Sequence, residues 1–180
     1  MSQEKPSVKS TPTSPPTSPS QMFHVGVVGL PAHLRPVDPA RIAAALAEFW
    51  TELSAAAVQI AAQDHLAAHA RLTRLRRIVL TCMVGLNGAD LPEDLDGVSR
   101  LLGPSQRAAI QKTLAAPSVD SAAWVGQAVA LVVIFRWYAP QLTEKFGLDY
   151  PQQVEVTALE RVRRYLPDWP LSITSVTPSD

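Results

Sequence analysis

The sequence has no excess of charge of either sign and only one cysteine. Its 180 residues include 16 Lys and Arg against 16 Asp and Glu, so the formal net charge is zero. Without a global electrostatic field, we do not expect the chain to be drawn to nucleic acid or to anionic lipid. Because Cys82 stands alone, no disulfide can form within the chain, which is typical of a reducing, cytoplasmic setting.

Long hydrophobic runs are also absent. The N-terminus has no apolar stretch of the kind that a secretory signal needs, and the longest apolar run, residues 129–135, is far short of the roughly 20 residues that cross a bilayer. Apolar residues nevertheless make up 47% of the chain, which is enough for one buried core. We therefore expect a soluble protein with no membrane partner.

The two ends of the chain differ in composition from its middle. Residues 1–21 are mostly Ser, Thr and Pro and have too little apolar surface to offset the entropy of ordering, so we predict a disordered tail. Residues 22–37 contain the β-prone stretch FHVGVVGL and are predicted to form one short strand or an extended arm. Residues 170–180 are assigned to a C-terminal tail.

The middle of the chain, residues 38–169, predicts an all-α bundle of about five helices. Helix starts are signalled by Asp38-Pro39, Asp64, Pro104, Asp120 and Pro151, since capping carboxylates and first-turn prolines favour these positions. The helix containing AVALVVIF has no polar face, so we expect it at the buried centre of the bundle. Pro140 is expected to kink or split that helix.

The order of these elements resembles a known family. The first helix contains EFW and the second contains DHLAAHARLTRLRRIVLTCMVGL, followed by RLL, the apolar helix, FGLDYP and a closing RVRRYL. This order is similar to the C-terminal helical domain of bacterial aminoglycoside nucleotidyltransferases, which are antibiotic-resistance enzymes. The resemblance covers roughly residues 40–166. Its most specific part is the spacing from the apolar helix to Tyr150-Pro151. It implies a bundle that packs against a separate nucleotidyltransferase domain and forms one wall of the antibiotic site.

The catalytic signature of that family is missing from this sequence. The family carries Gly-Ser followed by Asp-x-Asp, which holds two magnesium ions for nucleotidyl transfer; such chemistry needs closely placed carboxylates. The only Asp-x-Asp here is Asp94-Leu95-Asp96, without a preceding Gly-Ser, and we interpret it as a solvated loop. We therefore expect no catalytic residue, no cofactor and no activity from this chain alone.

The resemblance nominates residues that would contact a polycationic sugar. Glu48 and Glu52 lie one helical turn apart and would bind amines, or else they belong to a solvated polar stripe. The aromatic residues would stack on sugar rings or pack in the core. Arg136, inside an apolar helix, needs a carboxylate partner on the first or last helix. The substrate-binding candidates are Glu48, Trp50, Glu52, Asp64, Arg136 and Tyr138.

The histidines and arginines of the second helix have spacings that bear on metal and RNA chemistry. His65 and His69 have the spacing of zinc ligands, but no third ligand has a recognisable spacing, so no metal is predicted. Helical ribonuclease toxins carry an arginine followed by a histidine, whereas here His69 precedes the arginines of the second helix. We expect these arginines to pair with acidic neighbours rather than with phosphates.

Three hypotheses follow, in order of preference. The first is an orphan substrate-binding domain, working with a separately encoded catalytic chain or left as a fragment. The second is a non-enzymatic interaction or scaffold bundle, such as a homodimer. The third, weakest one is a ribonuclease-toxin-like bundle.

Overall fold

A computed structural model of the protein describes residues 35–170. The described part contains five α-helices and no strand: α1 (Pro39–Ala61), α2 (His65–Leu86), α3 (Pro104–Lys112), α4 (Ser121–Phe146) and α5 (Gln152–Tyr165). A short 3-10 turn, Val98–Arg100, lies in the loop before α3. The predicted all-α fold of about five helices is confirmed. The predicted tail and the strand at residues 23–30 lie outside the described residues.

The predicted helix starts are formed by local hydrogen bonds. The carboxylates of Asp38, Asp64 and Asp120 accept hydrogen bonds from backbone N–H groups in the first turns of α1, α2 and α4, at 2.9, 3.0 and 2.8 Å. Each bond satisfies a donor that the helix itself cannot pair. Helix α4 ends at Gly147, whose φ of +61° is the left-handed conformation that glycine adopts without strain.

Pro140 lies inside α4 and does not split it. The helix continues from Ser121 to Phe146, so the prediction of a split is wrong. The ring of Pro140 is exposed, while its neighbours Ala139 and Leu142 are buried in the core. Packing on the buried side offsets the hydrogen bond that proline cannot donate.

Helix α1, not α4, is the centre of the bundle. It packs against α2, α4 and α5, whereas α4 packs mainly against α2 and α1. Val133 and Trp137 of α4 remain 46% and 61% exposed. The expectation that α4 would be the buried centre is therefore wrong. Within residues 35–170 there are too few helices to surround it, so an apolar face is left in solvent.

The core is built around aromatic contacts between α1 and α4. The rings of Phe49 and Phe135 stack with their centroids 3.8 Å apart, and Trp50 meets each of them edge-on. Aliphatic side chains of α2, such as Leu72 and Leu75, complete the interior. One cysteine, Cys82 of α2, is fully buried among them.

The Cys82 thiol should make the protein less stable at alkaline pH. Burial raises its pKa to about 12, whereas a thiol in an unfolded chain ionises near about pH 8.5. The unfolded state therefore releases this proton first. Between these values the free energy of unfolding should fall by up to about 1.4 kcal/mol per pH unit.

Urea denaturation of the wild type and of Cys82→Ala at rising pH measures this contribution. Cys82→Ala loses packing at every pH, so only the change of the difference with pH is informative. The difference in the free energy of unfolding between the wild type and Cys82→Ala should become smaller as the pH rises. A constant difference would show that the thiol ionises equally in both states.

Candidate functional site

A buried ion pair joins α4 to α5. Arg136 donates from Nη2 to Oε1 of Glu155, and their side chains are only 15% and 3% exposed. The guanidinium carbon also lies 5.4 Å from the centre of the Trp50 ring, where the ring face attracts a cation. The carboxylate that Arg136 was predicted to need is thus on the last helix.

Tyr150, in the loop between α4 and α5, completes this network. Its hydroxyl oxygen accepts a hydrogen bond of 3.0 Å from Nε1 of Trp50. Burial raises the pKa of Tyr150 above its ordinary value, and the nearby Glu155 raises it further, so the phenol stays neutral. We name Trp50, Arg136, Tyr150 and Glu155 the core network.

The core network connects α1, α4 and α5 inside the protein and is not an open binding site. Nε of Arg136 and Oε2 of Glu155 are buried and lack a hydrogen-bond partner among the described residues, which makes the pair costly to desolvate. Sequence reasoning missed Tyr150 and Glu155 as members. The signal for Glu155 was the unpaired charge of Arg136, and nothing local distinguished it from other acidic residues.

The two glutamates of α1 have different environments. Glu52 is only 8% exposed, and its two carboxylate oxygens each accept a hydrogen bond of 3.0 Å from Arg71 of α2. Arg74 also approaches it, at 3.4 Å. Glu48, one turn earlier, is exposed. Interpreting both residues as a solvated stripe is therefore wrong for Glu52, whose charge is already neutralised by α2.

The six predicted substrate-binding residues do not converge on one place. Trp50 and Arg136 belong to the core network, and Tyr138 is buried in the hydrophobic core. Asp64 caps α2 at the end of the bundle where α1 finishes. Among the aromatic residues considered for sugar stacking, Trp137 alone is largely exposed.

The histidines and the remaining arginines of α2 hold neighbouring segments in place. His65 accepts a hydrogen bond of 3.1 Å at Nδ1 from Trp124, and the His69 ring lies 6.0 Å from the same indole. Arg76 donates to the carbonyl of Thr113, and Arg77 donates to the carbonyl of Glu93. Residues 35–170 contain no group of three or more His, Cys, Asp or Glu that could hold a metal ion.

A charged cleft lies beside the start of α1, where the loop of residues 90–101 passes over it. Its volume is about 560 Å³. We name this cavity and the charged residues that line it the charged cleft. The residues are Arg35, Arg41, Asp90, Glu93, Asp94, Asp96 and Arg100. A second groove of about 400 Å³ runs between α1 and α2 and is lined by Arg41, Glu48, Arg74 and Arg77, among others.

The charges of the cleft are only partly compensated within the described structure. Arg41 and Asp90 form an ion pair of 2.8 Å. Glu93, Asp94 and Asp96 are exposed, and none of them forms an ion pair among residues 35–170. Sequence reasoning treated this segment as a solvated loop. The available signal was the density of carboxylates between residues 90 and 96.

Loss of the Glu155 charge should be strongly destabilising. Glu155→Gln keeps the shape of the side chain but leaves Arg136 as an uncompensated buried cation, which should lower the free energy of unfolding by about 3–5 kcal/mol. Glu160→Gln is the matched control, because Glu160 is exposed on the same helix and should change stability by less than about 0.5 kcal/mol. Chemical denaturation measures both.

Replacing both charged residues together should recover most of the stability that Glu155→Gln loses. Arg136→Met combined with Glu155→Leu removes the desolvation cost together with the attraction, and such exchanges are often neutral. Equal losses for Glu155→Gln and Glu160→Gln would contradict the buried pair. A double variant as unstable as Glu155→Gln would contradict the view that the pair is costly to bury.

Comparison with other proteins adds no relative to this picture. No protein-family model matches the chain, and no curated protein or solved structure is detectably similar to it. The resemblance to aminoglycoside nucleotidyltransferases therefore stays a prediction.

Proposed function

We propose that this chain is a non-catalytic binding domain that holds a polycationic small molecule, of the aminoglycoside class, in the charged cleft. The observation that supports it is the group Glu93, Asp94 and Asp96, three carboxylates that have no cationic partner among residues 35–170 and lie beside a cavity of about 560 Å³. Small-molecule sites commonly measure about 300–1,000 Å³. The cleft is lined by four carboxylates and three guanidinium groups, and amines of the ligand would bind beside the three carboxylates that are not paired within the described residues.

The other charges of the cleft favour an amino sugar over a simple polyamine. Arg41 is already paired with Asp90, which leaves Arg35 and Arg100 to donate hydrogen bonds to hydroxyl or ring oxygens. A sugar offers both kinds of group. Exposed ion pairs contribute only about 0–1 kcal/mol each, so binding should be modest and should weaken with added salt.

The proposal moves the ligand away from the face that the resemblance nominated. Glu52 is held by Arg71 and Arg74, so binding an amine there would require breaking these contacts. The loop carboxylates require no such exchange. Within this proposal, a separate nucleotidyltransferase chain would provide the metal-binding carboxylates, and this domain would provide one wall of the site.

Isothermal titration with kanamycin tests the proposal. The variant Glu93→Gln/Asp94→Asn/Asp96→Asn should lose about 10-fold to 100-fold in affinity, as expected for three exposed ion pairs. The matched control Asp149→Asn/Glu160→Gln/Asp168→Asn removes three exposed carboxylates outside the cleft and should bind like the wild type. A thermal-shift series with aminoglycosides and nucleotides gives an independent readout.

Three outcomes would contradict this function. The first is the absence of any heat or thermal shift with aminoglycosides. The second is an equal loss of affinity in both triple variants, which would indicate nonspecific attraction to negative charge. The third is a thermal shift with nucleotides alone, which would point to an anion in the groove lined by Arg41, Arg74 and Arg77.

A further inference from the structure

Helix α4 carries an apolar stripe that the rest of residues 35–170 leaves largely uncovered. We name it the outer face of α4. It comprises Ala122, Gly126, Val129, Ala130, Val133, Trp137, Pro140 and Gln141, all exposed or partly exposed. None of these residues is charged. Arg136 lies at the margin of the stripe, and its guanidinium is paired with Glu155. A long uncharged stripe with an exposed tryptophan is typical of an interaction surface.

Membrane insertion does not explain the outer face well. By length and composition α4 could cross a membrane, although 44% of its most apolar 18-residue stretch is buried inside the bundle. The core helix of a soluble protein can have the same length and composition. The opposite side of α4 packs on α1 and α2, and Arg136 is paired with Glu155. Spanning a bilayer would break these contacts.

The outer face has two unlike halves. Its N-terminal half has only small residues in the row Ala122, Gly126 and Ala130, spaced four apart and therefore aligned along the helix. A Cβ atom added to Gly126 would meet nothing within 4 Å, so this position is an open notch. The C-terminal half carries the larger side chains of Val133 and Trp137.

We propose that the outer face of α4 binds the same face of a second copy of this chain in an antiparallel pair. In a two-fold interface each contact occurs twice with the roles exchanged. When Trp137 of one copy enters the notch at Gly126 of the other, the equal spacing places Val133 opposite Ala130. The large half of each helix then fills the small half of its partner.

Other arrangements leave the shapes unmatched. A parallel pair in register would set Trp137 against Trp137 and would leave both notches at Gly126 empty. Antiparallel packing also places each helix N-terminus beside the C-terminus of its partner, which the helix dipoles favour. Nothing in this dimer involves the charged cleft, so the inference goes beyond the proposed ligand site and does not depend on it.

The size of the outer face indicates a reversible dimer. From Ala122 to Gln141 the stripe is about 29 Å long on a helix about 10–12 Å wide. Two such faces bury on the order of 700 Å² in projection, below the roughly 1,600 Å² of a standard stable interface. We therefore expect an exchanging dimer whose population depends on protein concentration.

Sedimentation equilibrium of the full-length chain over a range of concentrations tests the dimer. The wild type should associate, and Trp137→Ala should raise the dissociation constant about tenfold or more, as expected for a central aromatic anchor. Gly126→Leu should also raise the dissociation constant, because the leucine side chain fills the notch. Leucine has a higher helix propensity than glycine, so this substitution should not weaken α4 itself. Leu66→Ala and Leu114→Ala are matched controls, because both leucines are exposed outside α4.

The orientation is tested by cysteine crosslinking between two singly substituted proteins. A mixture of Ala130→Cys and Val133→Cys should form a mixed disulfide faster than either protein alone. The native Cys82 is buried and should not compete. Faster crosslinking of each protein with itself than with the other would overturn the antiparallel register.

Two results would overturn the dimer itself. One is a wild type that remains monomeric at every concentration; if acrylamide then fails to quench the part of the tryptophan fluorescence that Trp137→Ala removes, another segment of the same chain covers the face. The other is a dimer that Trp137→Ala and Gly126→Leu leave unchanged. Circular dichroism of both variants should match the wild type, which separates lost association from lost folding.

Discussion

Trp50 couples three parts of the chain through one indole ring. The ring packs at right angles to both Phe49 and Phe135 and lies near the guanidinium of Arg136, and its N–H donates to Tyr150. These contacts involve α4 and the loop before α5, so a movement of the ring would disturb one or the other. The position of α5 is therefore tied to the aromatic contact between α1 and α4.

The ion pair of Arg136 and Glu155 adds specificity to that arrangement at a cost in desolvation. Burying two charges removes their hydration, and two of their polar atoms remain without partners in the described structure. Hydrophobic packing is non-directional, whereas an ion pair depends on the position of both charges. A single buried carboxylate opposite a single buried guanidinium defines one register, and Tyr150 fixes the loop that leads into it.

Placing α1 at the centre decides what the surface offers. Since α1 uses its sides against α2, α4 and α5, α4 lies at the margin, and no other helix of residues 35–170 covers its uncharged outer face. The loop of residues 90–101 stays outside the helices, so its carboxylates line a cleft instead of a core. Ligand binding and self-association would then use separate surfaces, and one could change without the other.

The sequence by itself determined the features that depend on neighbours along the chain. The capping carboxylates Asp38, Asp64 and Asp120 mark the helix starts, because each bond spans only two or three residues. Only the tertiary structure decided which faces are covered. The apolar pattern of α4 is the same whether or not other helices surround it, and Glu52 resembles Glu48 until α2 brings Arg71 beside it. The partner of Arg136 is 19 residues away in sequence, and only the packing of α4 and α5 around α1 could select Glu155.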